Sequence, residues 1–287
     1  MARLLDSLQM MQTTPKLLLS TAPFFRATLK DAFRHAKEAG YEAIEVMVTR
    51  DPATQDARRI RELAAEFDLS VAALHAPMLL VTRRVWGTEP VEKLQRATQV
   101  AEEAGIPLVV AHPPYHWQVR YRRWVARNLA EHSARTGVTI AVENMFPVKI
   151  RGDRGLTFHA SQDFEDLDRF TYLVLDTSHL AVSKIDLVQA YRRYRTKVVH
   201  FHISNNAGKG WDSHLPVDEG VLAIDRLLEA VGRDGFAGTL SLELDLRSFL
   251  DDDAAVREVL VRNRELCERW LGREAPTPGR EPVSDRT

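Results

Sequence analysis

Short apolar runs alternate with longer stretches of helical periodicity from Lys16 to Leu271. The runs at residues 16–21, 43–48, 71–77, 108–114, 138–144, 171–176, 197–205 and 238–245 each centre on a short apolar stretch bounded by polar residues. That marks strands buried on both faces, as in a parallel sheet. Between them, apolar residues recur at helical spacing over 29–39, 57–67, 90–104, 121–135, 187–195, 221–231 and 254–271, with a weaker pattern over 162–169. Gly40, Gly105 and Gly137 stand where three of these helices should stop. Eight strands alternating with helices predict an α/β fold, a (β/α)8 TIM barrel in a single domain. A doubly wound sheet is the competing architecture, but it favours a glycine-rich turn after its first strand. Here that turn reads Ser20-Thr-Ala-Pro-Phe. The barrel domain is assigned to residues 1–271, beginning with a lead-in of no clear period. Residues 272–287 lack an apolar face and read as a disordered C-terminal tail.

The composition is 45% hydrophobic and 28% charged with net charge −1, which is ordinary for a globular domain and gives no support for a nucleic-acid binder. Local basic patches remain compatible with one. The single cysteine, Cys267, excludes an intramolecular disulfide and a cysteine-based zinc knuckle, and its place in a helical pattern marks it as half-buried packing. No apolar run is long enough to cross a membrane, and the N-terminus lacks a signal-peptide core, so a cytoplasmic protein is expected. An oligomer is compatible with all of this.

The apolar runs end on a different chemistry. His75, His112, Glu143, Asp176, His202 and Glu243 each fall at or near a strand's C-terminal end, where a barrel collects its catalytic residues. His179, three residues after Asp176, and the triplet Asp212-Ser-His214 fall on the loops that follow two of those strands. Buried carboxylates and imidazoles need neutralising, and a divalent cation does so. A mixed His/Asp/Glu set without cysteine suits Zn2+, Mn2+ or Co2+. Each residue also has a plain structural role open to it. Asp176 can cap the next helix, and His200, on the same face as His202 but one layer deeper, can pack or orient a ligand. Glu45, followed by Val-Met-Val, ends no strand and can be an ion pair, a support for a ligand or a substrate contact. Arg83 and Arg84 can clamp a phosphate or form a solvated pair. Trp86, Tyr115 and Trp117 can wall a substrate pocket or cover the rim. His116, His132 and His159 are expected to be solvated.

The motifs Val142-Glu-Asn144, Leu175-Asp-Thr-Ser-His179, His200-Phe-His-Ile-Ser-Asn205, His214-Leu-Pro-Val-Asp-Glu-Gly220 and Leu242-Glu243 resemble those of the xylose-isomerase-like TIM-barrel superfamily. That group includes sugar-phosphate isomerases and epimerases and the endonuclease IV type of AP endonuclease. The resemblance covers nearly the whole chain. It implies a four-ligand metal site on Glu143, Asp176, His202 and Glu243, with the two glutamates as paired acid and base in the epimerases. The endonuclease IV pattern adds two earlier histidines, a histidine after the aspartate and an Asp-x-His triplet in a trinuclear zinc site. His75, His112, His179, Asp212 and His214 match these positions. The DNA-reading parts depart from that pattern. Met78 stands where the nucleases have tyrosine, Pro114 where they have glycine, and the N-terminal Gly-Ser-His-Val signature is absent.

Two activities are therefore expected. The first is a metal-dependent isomerase or epimerase of a small sugar or sugar phosphate, moving a proton beside a metal-chelated carbonyl, with Glu143 and Glu243 as the catalytic pair. The alternative is an endonuclease IV-like zinc phosphoesterase with two or three metals.

Overall fold

The computed structural model describes residues 15–78, 85–151, 154–156 and 164–272. Eight parallel strands close into a barrel: β1 (Lys16–Ser20), β2 (Ala43–Met47), β3 (Ser70–His75), β4 (Leu108–Ala111), β5 (Thr139–Glu143), β8 (Leu173–Asp176), β9 (Val198–Ile203) and β10 (Thr239–Leu242). β10 closes on β1, with Leu18 opposite Ser241. Helices α1 (Leu29–Glu38), α2 (Ala57–Phe67), α3 (Pro90–Ala104), α4 (Val119–Thr136), α6 (Leu187–Tyr194), α7 (Ile224–Arg233) and α8 (Asp253–Trp270) follow strands and lie outside the barrel. Every predicted strand is present, and helix ends agree to within a few residues. No helix among the described residues is long and apolar enough to cross a membrane.

Two features depart from the expected pattern. Residues taken as irregular form an antiparallel hairpin, β6 (Val148–Arg151) and β7 (Arg154–Leu156), after β5. The segment after Asp176, taken as a loop, is a short helix, α5 (Thr177–Val182). Both are too short to show a period in sequence.

Strand alternation sets the layers. Leu17 and Leu19, Ile140 and Val142, and Leu173 and Leu175 join the main core between sheet and helices. Their intervening neighbours Leu18, Ala141 and Val174 form a separate cluster with Ala43, Ala73 and Val110, which is the plug inside the barrel. Two residues further along the same inward face come His75, His112, Glu143 and Asp176. Register shifts opposite Ala72 and Val199 keep β3 and β9 in phase, so that His75 and His202 also point inward.

Helix ends follow local chemistry. Thr28 and Asp31 cap α1 reciprocally, and Asp252 caps α8 through two backbone amides. Cys267 on α8 is completely buried rather than half-buried, because α8 packs on the closing edge of the barrel, where Tyr41 Oη donates to the Leu260 carbonyl at 3.2 Å. His132 is likewise buried, not solvated. Its ring meets Trp124 edge-on at 5.4 Å and Arg135 at 2.9 Å. His116 is exposed, and His159 lies outside the described residues.

Candidate functional site

The ends of β3, β4, β5, β8, β9 and β10 deliver side chains to one buried cluster at the barrel mouth. Glu143 is at its centre. Its Oε2 has His112 Nε2 at 3.0 Å and His75 Nε2 at 3.4 Å. Its Oε1 has His202 Nδ1 at 3.0 Å and His179 Nδ1 at 3.4 Å. His202 Nδ1 also stands 3.4 Å from Glu243 Oε2 and 3.7 Å from Asp176 Oδ2. On the other side, Asp212 Oδ2 has His214 Nε2 at 2.7 Å and His179 Nε2 at 3.4 Å. Three groups result, each compact enough to share one ion: His75–His112–Glu143, Glu143–Asp176–His202 and Asp176–His179–His214. Glu143 and Asp176 belong to two groups each.

Asp176 takes the capping role and keeps one oxygen free. Oδ1 caps α5 by accepting the His179 amide at 2.8 Å, and Oδ2 is buried with no hydrogen-bond partner. The cap turns His179 back over the site. The Asp176 backbone is held in turn by Asn144, whose Oδ1 accepts from Asp176 N at 2.7 Å and whose Nδ2 donates to Asp176 O at 3.3 Å. Asn144 lay inside a quoted motif, but its bracing role needed β5 and β8 side by side. Ser178, inside another of those motifs, had no role legible in sequence. Its hydroxyl donates to Asp212 Oδ1 at 2.6 Å and accepts from Asn206 Nδ2 at 2.9 Å, which fixes the carboxylate. Its only signal in the sequence was its place between Asp176 and His179.

The loop carrying Asp212 and His214 is held under strain. His214 has φ +43°, a left-handed conformation costing about 1–3 kcal/mol in a bulky residue. Mutual backbone bonds between Asn205 and Leu215 and a bond from Asp245 N to His214 O clamp it there. Gly220 closes the same loop at φ +127°, where a Cβ would stand 2.5 Å from Asn206 O and 2.6 Å from Asn205 Oδ1.

The histidines share one pattern of hydrogen bonding. His75 Nδ1 donates to Ala76 O at 3.0 Å, His179 Nδ1 to Asn144 O at 2.8 Å and His214 Nδ1 to Glu243 O at 3.1 Å. His202 Nε2 donates to Glu45 Oε1 at 3.2 Å. In each ring the other nitrogen then carries a lone pair, and it faces a carboxylate oxygen. Glu143 Oε2, Asp176 Oδ2 and Glu243 Oε2 are buried and make no hydrogen bond. Lone pairs meeting in a buried space need a proton or a metal ion between them. Two ligands at about 2.1 Å from one tetrahedral ion lie about 3.4 Å apart, close to the spacings here. The residues therefore fit divalent cations.

Without such ions, protons take their place. Burial alone would raise Glu143, but the imidazoles of His202 and His112 hold it well below the usual carboxylate range. Burial opposes charge on His202 and His179 too, yet nearby carboxylates hold both well above the usual imidazole range. Burial pushes Glu243 up, and the neighbouring histidines offset only part of this. His214 is pushed from 6.5 up to about 10 because Asp212 outweighs burial. A raised histidine contributes stability that is full below its unfolded pKa and lost as pH rises through the folded one. In EDTA, the melting temperature should thus fall between pH 6.5 and about 10. Asp212→Asn should flatten that slope in a thermal-melt series across the range. An unchanged slope would show that the His214 pair does not control it.

The residues expected to touch substrate are scattered. Glu45 is fully buried beneath His202 and bonded to it. Trp86 packs against the main core under Arg96, whose guanidinium lies 5.1 Å from the ring centre. Arg83 and Arg84 lie outside the described residues. Tyr115 and Trp117 stack on each other at 4.7 Å, with Tyr115 buried and Trp117 exposed. Phe146, unremarked in sequence, places its ring 4.6 Å from that of His179. A pocket of about 230 Å³ opens beside Glu243, His214 and Asp212, lined also by Phe25 and Arg247.

The family description "Xylose isomerase-like TIM barrel" matches residues 33–264. An uncharacterised protein of Mycobacterium leprae is 33% identical over 260 residues, covering 83% of this chain and 91% of its own length. An uncharacterised protein of Methanocaldococcus jannaschii is 23% identical over 273 residues, covering 88% of this chain and 92% of its own. Among solved structures, IolI with a bound zinc atom superposes with a TM-score of 0.68 at 18% identity, covering 89% of this chain and 99% of its own. A D-tagatose 3-epimerase-like protein gives 0.66 at 19% identity, covering 88% and 98%. An AP endonuclease of family 2 from Brucella melitensis gives 0.61 at 18% identity, covering 83% and 99%. At these identities the structural likeness concerns the fold.

Proposed function

Because the chain belongs to the xylose isomerase-like TIM-barrel family, we propose that it is a divalent-metal-dependent enzyme working at the barrel mouth, and that it hydrolyses a small phosphoester. The observation that carries this reading is the sharing of Glu143 and Asp176 among three ligand groups. Glu143 Oε2 with His75 and His112 would hold one ion. Glu143 Oε1, Asp176, His202 and Glu243 would hold a second, and Asp176, His179, His214 and Asp212 a third. Ions bound there would draw charge from a phosphoryl oxygen and acidify an attacking water. The protein fixes the ligands before substrate arrives. Ser178 aims Asp212, Asn144 braces Asp176, and backbone carbonyls set the tautomers of His75, His179 and His214. The pocket beside Glu243 and His214 gives the remainder of the substrate a place to lie, with Phe25 as an apolar wall. The departures at Met78 and Pro114 from the nuclease pattern favour a substrate other than DNA.

A second reading is the sugar or sugar-phosphate isomerase or epimerase. Two observations favour it: the opposed protonation tendencies of Glu143 and Glu243, and the epimerases among structures of this fold. Against it, both oxygens of Glu143 are enclosed by His75, His112, His179 and His202, which leaves that glutamate no open face toward a substrate C–H bond. Elemental analysis of the purified protein, with parallel assays on bis(p-nitrophenyl) phosphate and on ketohexose epimerisation, separates the two. About three ions per chain with release of p-nitrophenol is expected. One ion per chain together with epimerisation would replace this reading with the second.

A further inference from the structure

Below the ligand cluster, the buried side chains of Glu45 and His200 and the half-buried Thr239 form a hydrogen-bonded line across the barrel. Glu45 Oε1 lies 3.2 Å from His202 Nε2, and Oε2 lies 3.3 Å from His200 Nε2. His200 Nδ1 in turn lies 2.6 Å from Thr239 Oγ1, at the start of β10. Glu45 and His200 are completely buried.

These residues are also compact enough to enclose an ion, but their hydrogen bonding points elsewhere. Glu143, Asp176 and Glu243 each keep a buried oxygen without a hydrogen bond, whereas both oxygens of Glu45 receive an imidazole N–H.

We propose that Glu45, His200 and Thr239 are positioning residues that hold His202 in the tautomer with Nδ1 bare toward Glu143, Asp176 and Glu243. The order of donors runs one way. The Thr239 hydroxyl donates to His200 Nδ1, so His200 carries its proton on Nε2 and gives it to Glu45 Oε2. Glu45 Oε1 then accepts from His202 Nε2, which leaves Nδ1 as the lone-pair nitrogen. His75, His179 and His214 are backed by neutral carbonyls, whereas His202 is backed by a carboxylate. A carboxylate behind a ligating imidazole makes it a stronger donor, and removing such a partner typically lowers metal affinity about 10- to 100-fold. The line thus singles out the central ion, the one held by His202, for tightest binding. This rests on the metal-centre reading above.

Glu45→Gln keeps the shape but offers one acceptor and one donor where two acceptors stood. The test titrates Zn2+ into chelator-stripped wild-type and variant protein against a chromophoric chelator and records the ring N–H signals of 15N-histidine-labelled protein. Wild type should show a His202 Nε2–H signal that persists in D2O, and E45Q should lose or shift it. E45Q should also bind its tightest Zn2+ about 10-fold or more weakly while its metal-free melting temperature stays near that of wild type. Thr239→Val, remote from the ions, should weaken the same ion by a smaller factor, and it carries the test if E45Q fails to fold. Wild-type Zn2+ affinity in a folded variant, or an unmoved His202 signal, would overturn the proposal. Wild-type protein that binds no Zn2+ would instead overturn the metal-centre reading.

Discussion

Glu143→Gln should reduce turnover by a factor on the order of 10³ or more while the barrel stays folded. Glutamine keeps the volume, so the plug and the β5 ladder are undisturbed. It loses the charge and replaces one acceptor oxygen with an amide donor. That donor must face either the His75 and His112 side or the His202 and His179 side, because Glu143 meets both pairs within 3.0 to 3.4 Å. On the metal-centre reading, whichever way the amide turns, one ion would lose its carboxylate and the other would retain only a neutral oxygen. Elemental analysis should therefore show the loss of at least one ion per chain, and often two. The metal-free variant should differ from wild type in a second way. The imidazoles around Glu143 lose the charge that compensates their burial, so those that stay protonated in wild type should release a proton on mutation. An NMR titration of the histidine rings in EDTA measures this. Unchanged turnover and full metal content in a folded protein would remove Glu143 from the centre of the site.

His179→Ala and His214→Ala should each remove about one ion per chain, and the double variant should remove no more than either single. Both side chains direct Nε2 at the same oxygen, Asp212 Oδ2, at 3.4 and 2.7 Å. On the phosphoesterase reading they would serve one ion and fail together, so their effects on turnover should be far from additive, each single variant losing about as much as the double, on the order of 10³-fold. Alanine keeps a Cβ, so the left-handed strain at that position stays, and the metal-free variant should melt near wild type at high pH, where the Asp212–His214 pair is lost. The epimerase reading gives a different result. There the two histidines would only orient substrate, metal content would hold at the wild-type value, and the loss would appear in KM. Metal retained in both single variants, with a raised KM and a preserved kcat, would decide for that reading.

The sequence by itself determined the architecture, because barrel strands and their helices are written in short-range periods. Apolar runs such as Leu17-Leu-Leu19 and Leu173-Val-Leu175 are strands whichever neighbours they find, and helix spacing with a stop at Gly105 or Gly137 needs no tertiary information. The sequence also marked the chemical end of each strand, since a run that breaks into His75, Glu143 or Asp176 has left its apolar layer. Period-two alternation did the rest, carrying the inward face from Ala141 to Glu143 and from Val174 to Asp176. What only the tertiary structure decided is which of these residues touch. His202 meets Glu143 across 59 residues of chain and Glu45 across 157, and no local pattern encodes a contact made by closing a barrel. Glu45 therefore read as ambiguous until the ring closed and placed both of its oxygens on imidazoles. His132 looked solvated because a helical histidine shows its burial only through Trp124 on the same helix and what packs against them. The sharing of Glu143 between two ligand groups belongs to the same class. A carboxylate has two oxygens in any sequence, and only the fold gives each its own pair of histidines.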